Sequence, residues 1–386
     1  EWISCDSEEP RHPVFFRDFS SSEAVKSARL YICALGLYEA SLNGKRVGEE
    51  YLTPYCNNYE RWLQYQSYDV TALLEKNNRL EVMLGNGWYK GRFGFSGKKD
   101  GYYGNEWLLI AELRLVYEDG SEEIIGTDES WKLRRSGIYF SNLYDGEYCN
   151  ENLRPAEEER VLPASDDAAL KAKLTERLSP PVVVTDLLTP KLIHTPKGET
   201  VLDTGQNAAG IFRLNVRSKP GQTIRLQFGE VLQDGNFYRD NYRSAKAEYR
   251  FTSAGGEKIL EPKFTFYGGR YVKVEGIEAL KADDFRFLVL STDLEAASSL
   301  ETGHPGINQL LSNIEWGRKS NFIDVPTDCP QRDEKMGWTG DAQVFAASAL
   351  FLTKALPFYR KYLRDMRTEQ EALQGKVPNE IGRAHV

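Results

Sequence analysis

The chain has 386 residues, of which 41% are hydrophobic and 27% are charged, as is typical of a globular protein of roughly two or three domains. A formal net charge of −8 without any basic cluster argues against nucleic-acid binding. No apolar run of about 18 residues occurs, so we expect no membrane span and no membrane partner.

The five cysteines are odd in number and widely spaced, which predicts no disulfide framework. No cysteine or histidine pair has the spacing of a zinc site, and we expect neither a metal ion nor another cofactor. Unpaired cysteines favour a reducing cytoplasm. Because the chain begins at Glu1 rather than Met, a lost signal peptide stays an open alternative. The sequence does not indicate the oligomeric state.

Short strands separated by turns dominate residues 1–178 and predict an N-terminal β-sandwich, a jelly roll of carbohydrate-binding-like type. The strand-like runs are residues 29–34, 80–84, 108–117 and 131–134, with turn signals at Asn43-Gly44 and Asp119-Gly120. Trp88 and Trp107 are candidates for stacking on sugars, but burial in a sandwich core explains aromatic residues better.

A second β-sandwich domain is predicted over residues 179–297. Alternating apolar and polar residues mark strands at 223–228, 248–252 and 270–274. Between them, Gln233-Asp234-Gly235-Asn236 is a strong hairpin-turn signal.

The pattern becomes helical near residue 300, which predicts an α domain over residues 298–380. His304-Pro305 fits a helix start, and Ile307, Leu310, Leu311 and Ile314 fall on one helical face. Residues 341–352 predict a second, largely buried helix, and residues 357–370 a third. Residues 381–386 do not continue a helix, and we interpret them as a non-native tail after a natural sequence that runs to Asn379 or Glu380.

An acidic loop between the first two of these helices carries the candidate chemistry. Residues 324–341 contain five carboxylates, and two prolines and two glycines exclude a continuous helix. Cleavage of a glycosidic bond needs one carboxylic acid to protonate the leaving oxygen and a second carboxylate to activate water or attack the sugar. Arg332 and Trp338 are the residue types that hold and stack on a neutral sugar.

Simpler interpretations exist for single residues of this loop. Asp341 is equally explained as a helix N-cap, and Arg332 as a structural ion pair with Asp328 or Asp333. Cys329 fits a small buried residue better than a nucleophile, since no histidine lies near it in sequence. The acidic turn at residues 144–148 suits a sugar or Ca²⁺ contact, but two carboxylates are too few for a calcium cage, and a plain turn is the preferred interpretation.

Taken together, residues 328–341, with the sequence DCPQRDEKMGWTGD, resemble the signature of the bacterial α-L-rhamnosidases of glycoside hydrolase family 78. Further similarity lies in Leu42-Asn43-Gly44-Lys45, Gly85-Asn86-Gly87-Trp88-Tyr89 and Asp203-Thr204-Gly205-Gln206-Asn207. The resemblance spans about residues 2–379. It implies a multidomain chain in which β-sandwich and jelly-roll N-terminal domains are followed by the first helices of an (α/α)6 barrel.

The resemblance also implies roles for individual residues. Glu334 would be the general acid of an inverting, exo-acting enzyme that releases terminal α-L-rhamnose from glycosides or polysaccharides. The implied substrate-binding residues are Asp328, Arg332, Asp333, Trp338 and Asp341, and the implied partner is a rhamnose-containing oligosaccharide or glycoside.

One departure from the family concerns the general base, a glutamate that lies far downstream and is not in this sequence. We therefore expect the 386-residue chain to be an inactive fragment, or poorly folded beyond residue 300. Two alternatives stay open: a carbohydrate-binding protein without catalysis, and another (α/α)6 glycosidase of different sugar specificity.

Overall fold

The computed structural model describes residues 1–21, 25–94, 100–153 and 158–381. The chain divides into two compact units. The first consists of Glu1–Arg92, Lys99–Ser141 and Leu153–Arg177, and the second of Phe93–Lys98, Asn142–Asn152 and Leu178–Val386. Residues 382–386, most of the predicted non-native tail, lie outside the described residues.

The first unit is built almost entirely of strands. Up to residue 142 they are β1 Ile3–Ser4, β2 Pro13–Ser20, β3 Val25–Leu35, β4 Leu37–Leu42, β5 Lys45–Arg46, β6 Leu63–Asp69, β7 Asn77–Gly85, β8 Leu108–Tyr117, β9 Glu122–Gly126, β10 Lys132–Arg135 and β11 Ile138–Asn142. Residues Asn142–Asn152, with strand β12 Gly146–Asn150, belong to the second unit. The chain then returns to the first unit with β13 Glu159–Arg160, β14 Leu162–Pro163 and β15 Leu174–Glu176. Short helices lie at Thr71–Leu73 (3₁₀), α1 Gly87–Lys90 and α2 Asp167–Ala172.

Apart from β11, which pairs with β12, these strands form two sheets around one core. One sheet has the order β14-β1-β8-β3-β6-β15 with β9 paired to β8, and the other the order β13-β10-β2-β7-β4-β5. Apolar side chains of both sheets, among them Phe15, Leu30, Val82 and Leu109, belong to a single buried cluster, as expected of a β-sandwich. The four predicted strands and both turn signals are confirmed.

Trp88 and Trp107, for which the sequence allows either sugar stacking or burial, lie in the interior of this unit. Trp88 and Trp107 are each 2% exposed, so neither presents a flat platform to a ligand. Their burial confirms the core interpretation.

The second unit begins with one large sheet. Its strands and those that flank it are β12 Gly146–Asn150, β16 Val182–Leu188, β17 Lys191–His194, β18 Thr200–Gly229, β19 Val231–Gln233, β20 Asn236–Tyr238, β21 Glu248–Leu260, β22 Tyr267–Glu275 and β23 Phe285–Thr292, with 3₁₀ turns at Asp240–Tyr242 and Ala282–Asp284. The long strand β18 pairs with β17, β21, β22 and β23. The predicted strands at 223–228, 248–252 and 270–274 lie within β18, β21 and β22.

The predicted hairpin turn is also confirmed. Gln233 pairs with Asn236 across β19 and β20. Asp234 and Gly235 both have positive φ angles, 50° and 74°. Two consecutive residues of this kind make the turn that suits the twist of a hairpin.

Three helices and a small hairpin complete the second unit. They are α3 Pro305–Asn321, β24 Phe322–Ile323, β25 Val325–Pro326, α4 Thr339–Leu352 and α5 Leu356–Ala372. The predicted start at His304-Pro305 is confirmed, since His304 caps α3 by accepting the backbone N–H of Gly306. None of the helices among the described residues is long and apolar enough to cross a membrane.

One prediction about these helices is wrong. Helix α4 was expected to be largely buried, but only Ala342 and Ala349 are buried, whereas Val344 is 83% and Phe351 59% exposed. Apolar composition predicts burial only where a partner surface exists. Among the described residues, the cluster around Phe322 and Phe358 covers α4 on one side alone.

Candidate active site

Residues 324–341, called the acidic loop here, run from the tip of the small β24–β25 hairpin to the first turn of helix α4, and two buried lysines anchor them. At its start, Asp324 has a φ of 64° and lies at the tip of the hairpin, 2.8 Å from the Lys361 ammonium of α5. Near its end, Lys335 donates to the carbonyl oxygens of Leu143 and Phe266. Buried ion pairs and charged hydrogen bonds of this kind hold a loop in one conformation.

Glu334 lies at the centre of the loop's hydrogen bonds. Its Oε1 accepts from the indole N–H of Trp338 at 3.0 Å, and its Oε2 accepts from the guanidinium of Arg332 at 3.2 Å. A second guanidinium, that of Arg243, lies 2.7 Å from the same Oε2. The Tyr144 hydroxyl donates to the backbone oxygen of Glu334 at 3.0 Å. The side chain is 11% exposed, so both its orientation and its surroundings are fixed.

Arg332 joins Glu334 to a second carboxylate, Asp328. The Arg332 Nη2 atom lies 3.1 Å from Asp328 Oδ2 and 3.1 Å from Glu334 Oε2. The other Asp328 oxygen accepts the backbone N–H of Met336 at 3.0 Å. Burial raises the pKa of Asp328 above its ordinary value, despite the bonds that oppose this. Of the two ion pairs considered for Arg332, the structure contains the one with Asp328.

Asp333 faces a different partner. Its Oδ1 lies 2.7 Å from Nε of Arg243, and its Oδ2 accepts the backbone N–H of Ser244 at 3.2 Å as well as the Ser244 hydroxyl. The Asp333 side chain is only 4% exposed. Sequence patterns missed Arg243 and Ser244, which follow the 3₁₀ turn Asp240–Tyr242 about ninety residues before the loop. No signal in their sequence neighbourhood marks them.

Trp338 and Asp341 lie at the start of helix α4. Trp338 is the N-cap residue, and Asp341 lies in the first turn. The N-cap interpretation of Asp341 is therefore wrong, although a carboxylate in the first turn still interacts favourably with the helix dipole. A cavity of about 550 Å³ is lined by Asp328 and Asp341 together with Thr327. The structure thus brings four of the predicted site residues into one hydrogen-bonded cluster: Asp328, Arg332, Glu334 and Trp338. Asp341 lines the same cavity as Asp328. Asp333 contacts Arg243 instead.

Two minor features of the site favour structural interpretations. Cys329 is buried, and burial raises the pKa of its thiol to about 12, which makes it a poor nucleophile. Asp328, Cys329 and Glu334 bring potential ligand atoms within 4.8 Å of one another. Because Arg332 already contacts both carboxylates and the thiol holds its proton, this group of described residues is a poor match for a cation.

The acidic turn at residues 144–148 contributes structural bonds. Glu147 accepts the backbone N–H groups of Lys263 and Phe264 at 3.0 and 2.9 Å, and Asp145 accepts that of Lys246 at 3.0 Å. These bonds fit the plain-turn interpretation. The turn nevertheless matters to the site, because Tyr144 contacts the backbone of Glu334.

Comparison with known proteins identifies the domains in chain order. Residues 23–186 match the α-L-rhamnosidase N-terminal domain, and residues 193–291 match the bacterial α-L-rhamnosidase concanavalin-like domain. Residues 295–383 match the bacterial α-L-rhamnosidase six-hairpin glycosidase domain, which contains the loop and its helices. The chain belongs to the bacterial α-L-rhamnosidase family. Its β-sheet domains are followed by helices of the six-hairpin glycosidase domain, so the predicted family and fold class are confirmed.

Individual relatives agree with this assignment. An α-L-rhamnosidase of Streptomyces avermitilis is 39% identical over 361 residues, covering 90% of this chain and 35% of the relative. The crystal structure of the Aspergillus terreus enzyme superimposes with a TM-score of 0.94 at 35% identity, over 100% of this chain and 47% of that one. A Streptomyces avermitilis structure, described as complexed with L-rhamnose, gives a TM-score of 0.90 at 34% identity, over 98% and 37% of the two chains. The chain therefore spans between a third and a half of the length of these relatives.

Proposed function

We propose that this chain supplies the acid side of an inverting, exo-acting α-L-rhamnosidase site, with Glu334 as general acid. The observation that carries the proposal is the cluster around Glu334, a nearly buried carboxylate bonded to an arginine, to an indole and, through Arg332, to Asp328. The L-rhamnose bound in a structure similar to this chain supports rhamnose as the sugar.

The two oxygens of Glu334 are suited to different tasks. Oε2 receives two guanidinium groups, from Arg243 and Arg332. Among the described residues, Oε1 accepts a hydrogen bond only from the Trp338 indole. A carboxyl oxygen has two lone-pair directions, so Oε1 keeps one position for a proton. We assign delivery of the proton to the leaving glycosidic oxygen to Oε1.

Asp328 is not the partner base in this proposal. An inverting pair needs roughly 6.5–9.5 Å between its carboxyl groups to admit water beside the sugar. Potential ligand atoms of Asp328 and Glu334 lie within 4.8 Å, and the Arg332 guanidinium contacts both. Following the family resemblance, we place the general base in a downstream segment and expect the 386-residue chain alone to show no turnover that depends on Glu334.

The sugar-holding roles follow from exposure and position. Arg332 is about one-third exposed, Trp338 is partly exposed, and Asp341 reaches the cavity that Asp328 lines. We propose that these four side chains hold rhamnose. Asp333 was included among the substrate-binding residues, and that role stays a prediction. Its carboxylate is engaged by Arg243 and Ser244, so we favour an indirect contribution through Glu334.

The experiment compares wild type with Glu334→Gln in a polypeptide that continues into the rest of the six-hairpin domain. Release of L-rhamnose from an alkyl α-L-rhamnoside, whose leaving oxygen must be protonated, should fall by about 10²–10⁴-fold, the usual contribution of a general acid. L-Rhamnose binding, followed by calorimetry, should persist, because Gln keeps the size of the side chain and one acceptor oxygen, while its NH2 group replaces the other acceptor and cannot protonate the leaving oxygen. Retained turnover would move the acid to another residue.

The same polypeptide and assays distinguish this proposal from the two alternative functions. A carbohydrate-binding protein without catalysis would bind L-rhamnose and leave every alkyl rhamnoside intact in the longer polypeptide. Another glycosidase of this fold would cleave a different alkyl glycoside, with the same dependence on Glu334.

A further inference from the structure

Arg243 comes from the β-sheet part of the second unit and contacts two adjacent carboxylates of the candidate site. Its Nε lies 2.7 Å from Asp333 Oδ1, and its Nη2 donates to Glu334 Oε2 at 2.7 Å. The side chains of Asp333 and Glu334 are 4% and 11% exposed, whereas the Arg243 side chain is 43% exposed. Charged hydrogen bonds to nearly buried carboxylates are much stronger than those of a solvated surface pair.

The backbone around Arg243 is fixed in an uncommon conformation. Arg243 has a φ of 57°, a left-handed value that costs a non-glycine residue energy unless its surroundings enforce it. The next residue, Ser244, donates its backbone N–H to Asp333 at 3.2 Å. Its hydroxyl contacts the same oxygen. The turn therefore directs the Arg243 guanidinium and the backbone N–H and hydroxyl of Ser244 at residues 333 and 334.

The same turn is held on its other side by a close backbone approach. The buried Tyr242 hydroxyl donates to the Gly268 carbonyl at 2.5 Å. A Cβ on Gly268 would lie 2.8 Å from the backbone carbon of Pro330, so the acidic loop passes directly over this glycine. Arg243 thus reaches Glu334 from a rigid base, with the loop position set independently by the Gly268 contact.

We infer that Arg243 is a positioning residue for the general acid, holding the Glu334 carboxylate so that Oε1 faces the leaving oxygen. The inference rests on the proposed role of Glu334. Glu334 has three side-chain torsions, and without Arg243 the hydrogen bonds to its carboxylate within the described residues would be those from Arg332 and Trp338. Without Arg243, the neighbouring carboxylate of Asp333 would also lose its counter-charge and repel Glu334.

A first test reads the geometry in the 386-residue chain and needs no catalysis. The Trp338 indole N–H bonds to Glu334 Oε1, so its ¹H–¹⁵N resonance reports where that oxygen lies. The resonance is assigned by its loss in Trp338→Phe. Arg243→Ala should shift it toward its position in Glu334→Gln, and Arg243→Lys should restore part of the wild-type position. Arg217→Ala, a change at an 85% exposed arginine of strand β18, should leave it unmoved.

An Arg243→Ala spectrum with the Trp338 indole at its wild-type position would overturn the inference. General unfolding is recognised separately, because it would shift the indole of Trp316 as well.

A second test uses the leaving group, in the longer polypeptide described above. An alkyl α-L-rhamnoside needs full protonation of its leaving oxygen, whereas a 2,4-dinitrophenyl rhamnoside needs almost none. Arg243→Ala should lower kcat about 10–100-fold for the alkyl substrate and less than about threefold for the dinitrophenyl one, with KM nearly constant, because only the acid is displaced.

Equal losses on both substrates would show a merely structural role and overturn the inference. Absence of rhamnoside cleavage by the unsubstituted polypeptide would instead refute the proposed function. The indole resonance would then still decide whether Arg243 positions Glu334.

Discussion

Lys361 on helix α5 is the cation of a completely buried charge cluster, and its removal should unfold the helical part of the second unit. Its ammonium lies 2.8 Å from Asp324 and 3.1 Å from Asp365, and all three side chains have no exposed surface. In Lys361→Met the apolar stem is conserved in size, but two carboxylates are left in the interior without this counter-ion. The acidic loop begins at Asp324, so its starting point would also be released.

The expected magnitude follows from burial. Breaking a buried ion pair by removing one partner costs about 3–5 kcal/mol, because the remaining charge cannot be solvated. Amide hydrogen exchange within Leu356–Ala372 should consequently accelerate by about two to four powers of ten, at about 1.4 kcal/mol for each. Lys354→Met is the matched control, since its pair with Glu295 is 60% and 72% exposed and should contribute less than about 1 kcal/mol.

A charge-removing rescue makes this reasoning refutable. Adding Asp324→Asn and Asp365→Asn to Lys361→Met should recover most of the lost protection, because the two carboxylates that Lys361 contacts are then neutral amides. If Lys361→Met slows or accelerates exchange no more than Lys354→Met does, the cluster is not a buried ion pair in solution.

Three further predictions concern the loop itself. Gly268→Ala should destabilise the second unit by about 1–3 kcal/mol in urea titrations, because its Cβ would lie 2.8 Å from Pro330, whereas Gly303→Ala meets open space and should be neutral. Burial raises the pKa of Asp328, so ionisation of this carboxyl lowers the stability of the fold as the pH rises through that pKa. Asp328→Asn cannot ionise, so its urea midpoint should rise relative to that of the wild type over the same pH range. A difference between the two midpoints that does not change with pH would contradict this prediction. Cys329, with its pKa raised to about 12, should resist iodoacetamide at mildly alkaline pH in the native protein and react in urea, as mass spectrometry would show; native labelling would contradict the burial.

The parts of this protein that sequence predicts are those whose evidence is local. Alternation at residues 108–117 coincides with β8, and turn chemistry at Asp234-Gly235 fixes the hairpin. The acidic loop is recognisable because its candidate site residues lie within fourteen consecutive positions, 328–341. Nothing comparable marks Arg243, one of 49 basic residues, whose partners lie about ninety residues away. Its relevance arises only when the chain folds back.

Strand ends are the second feature that sequence misjudges. The pattern at residues 223–228 predicts a short strand, whereas β18 runs from Thr200 to Gly229. Pro220 and Gly221 resemble the end of a strand in sequence. In the structure they lie at a register shift between Pro220 and Thr223, where the strand bends and continues against β21. Glycine and proline are compatible with a bulge, so the same residues signal either outcome.

Helix α4 is apolar in sequence, yet most of its side chains are not buried by the described residues. Substitutions on its two faces test whether the exposed face is uncovered in solution. Val344 is 83% exposed, so Val344→Glu should change the free energy of unfolding of the 386-residue chain by less than about 0.5 kcal/mol. Ala349→Glu, at a fully buried position of the same helix, should cost several times more, because a charge would enter the cluster around Phe322. Urea titration of the two variants compares the helix with itself. A large loss of stability in Val344→Glu would mean that another surface covers this face of α4 in solution. The sequence-based prediction that α4 is largely buried would then be correct.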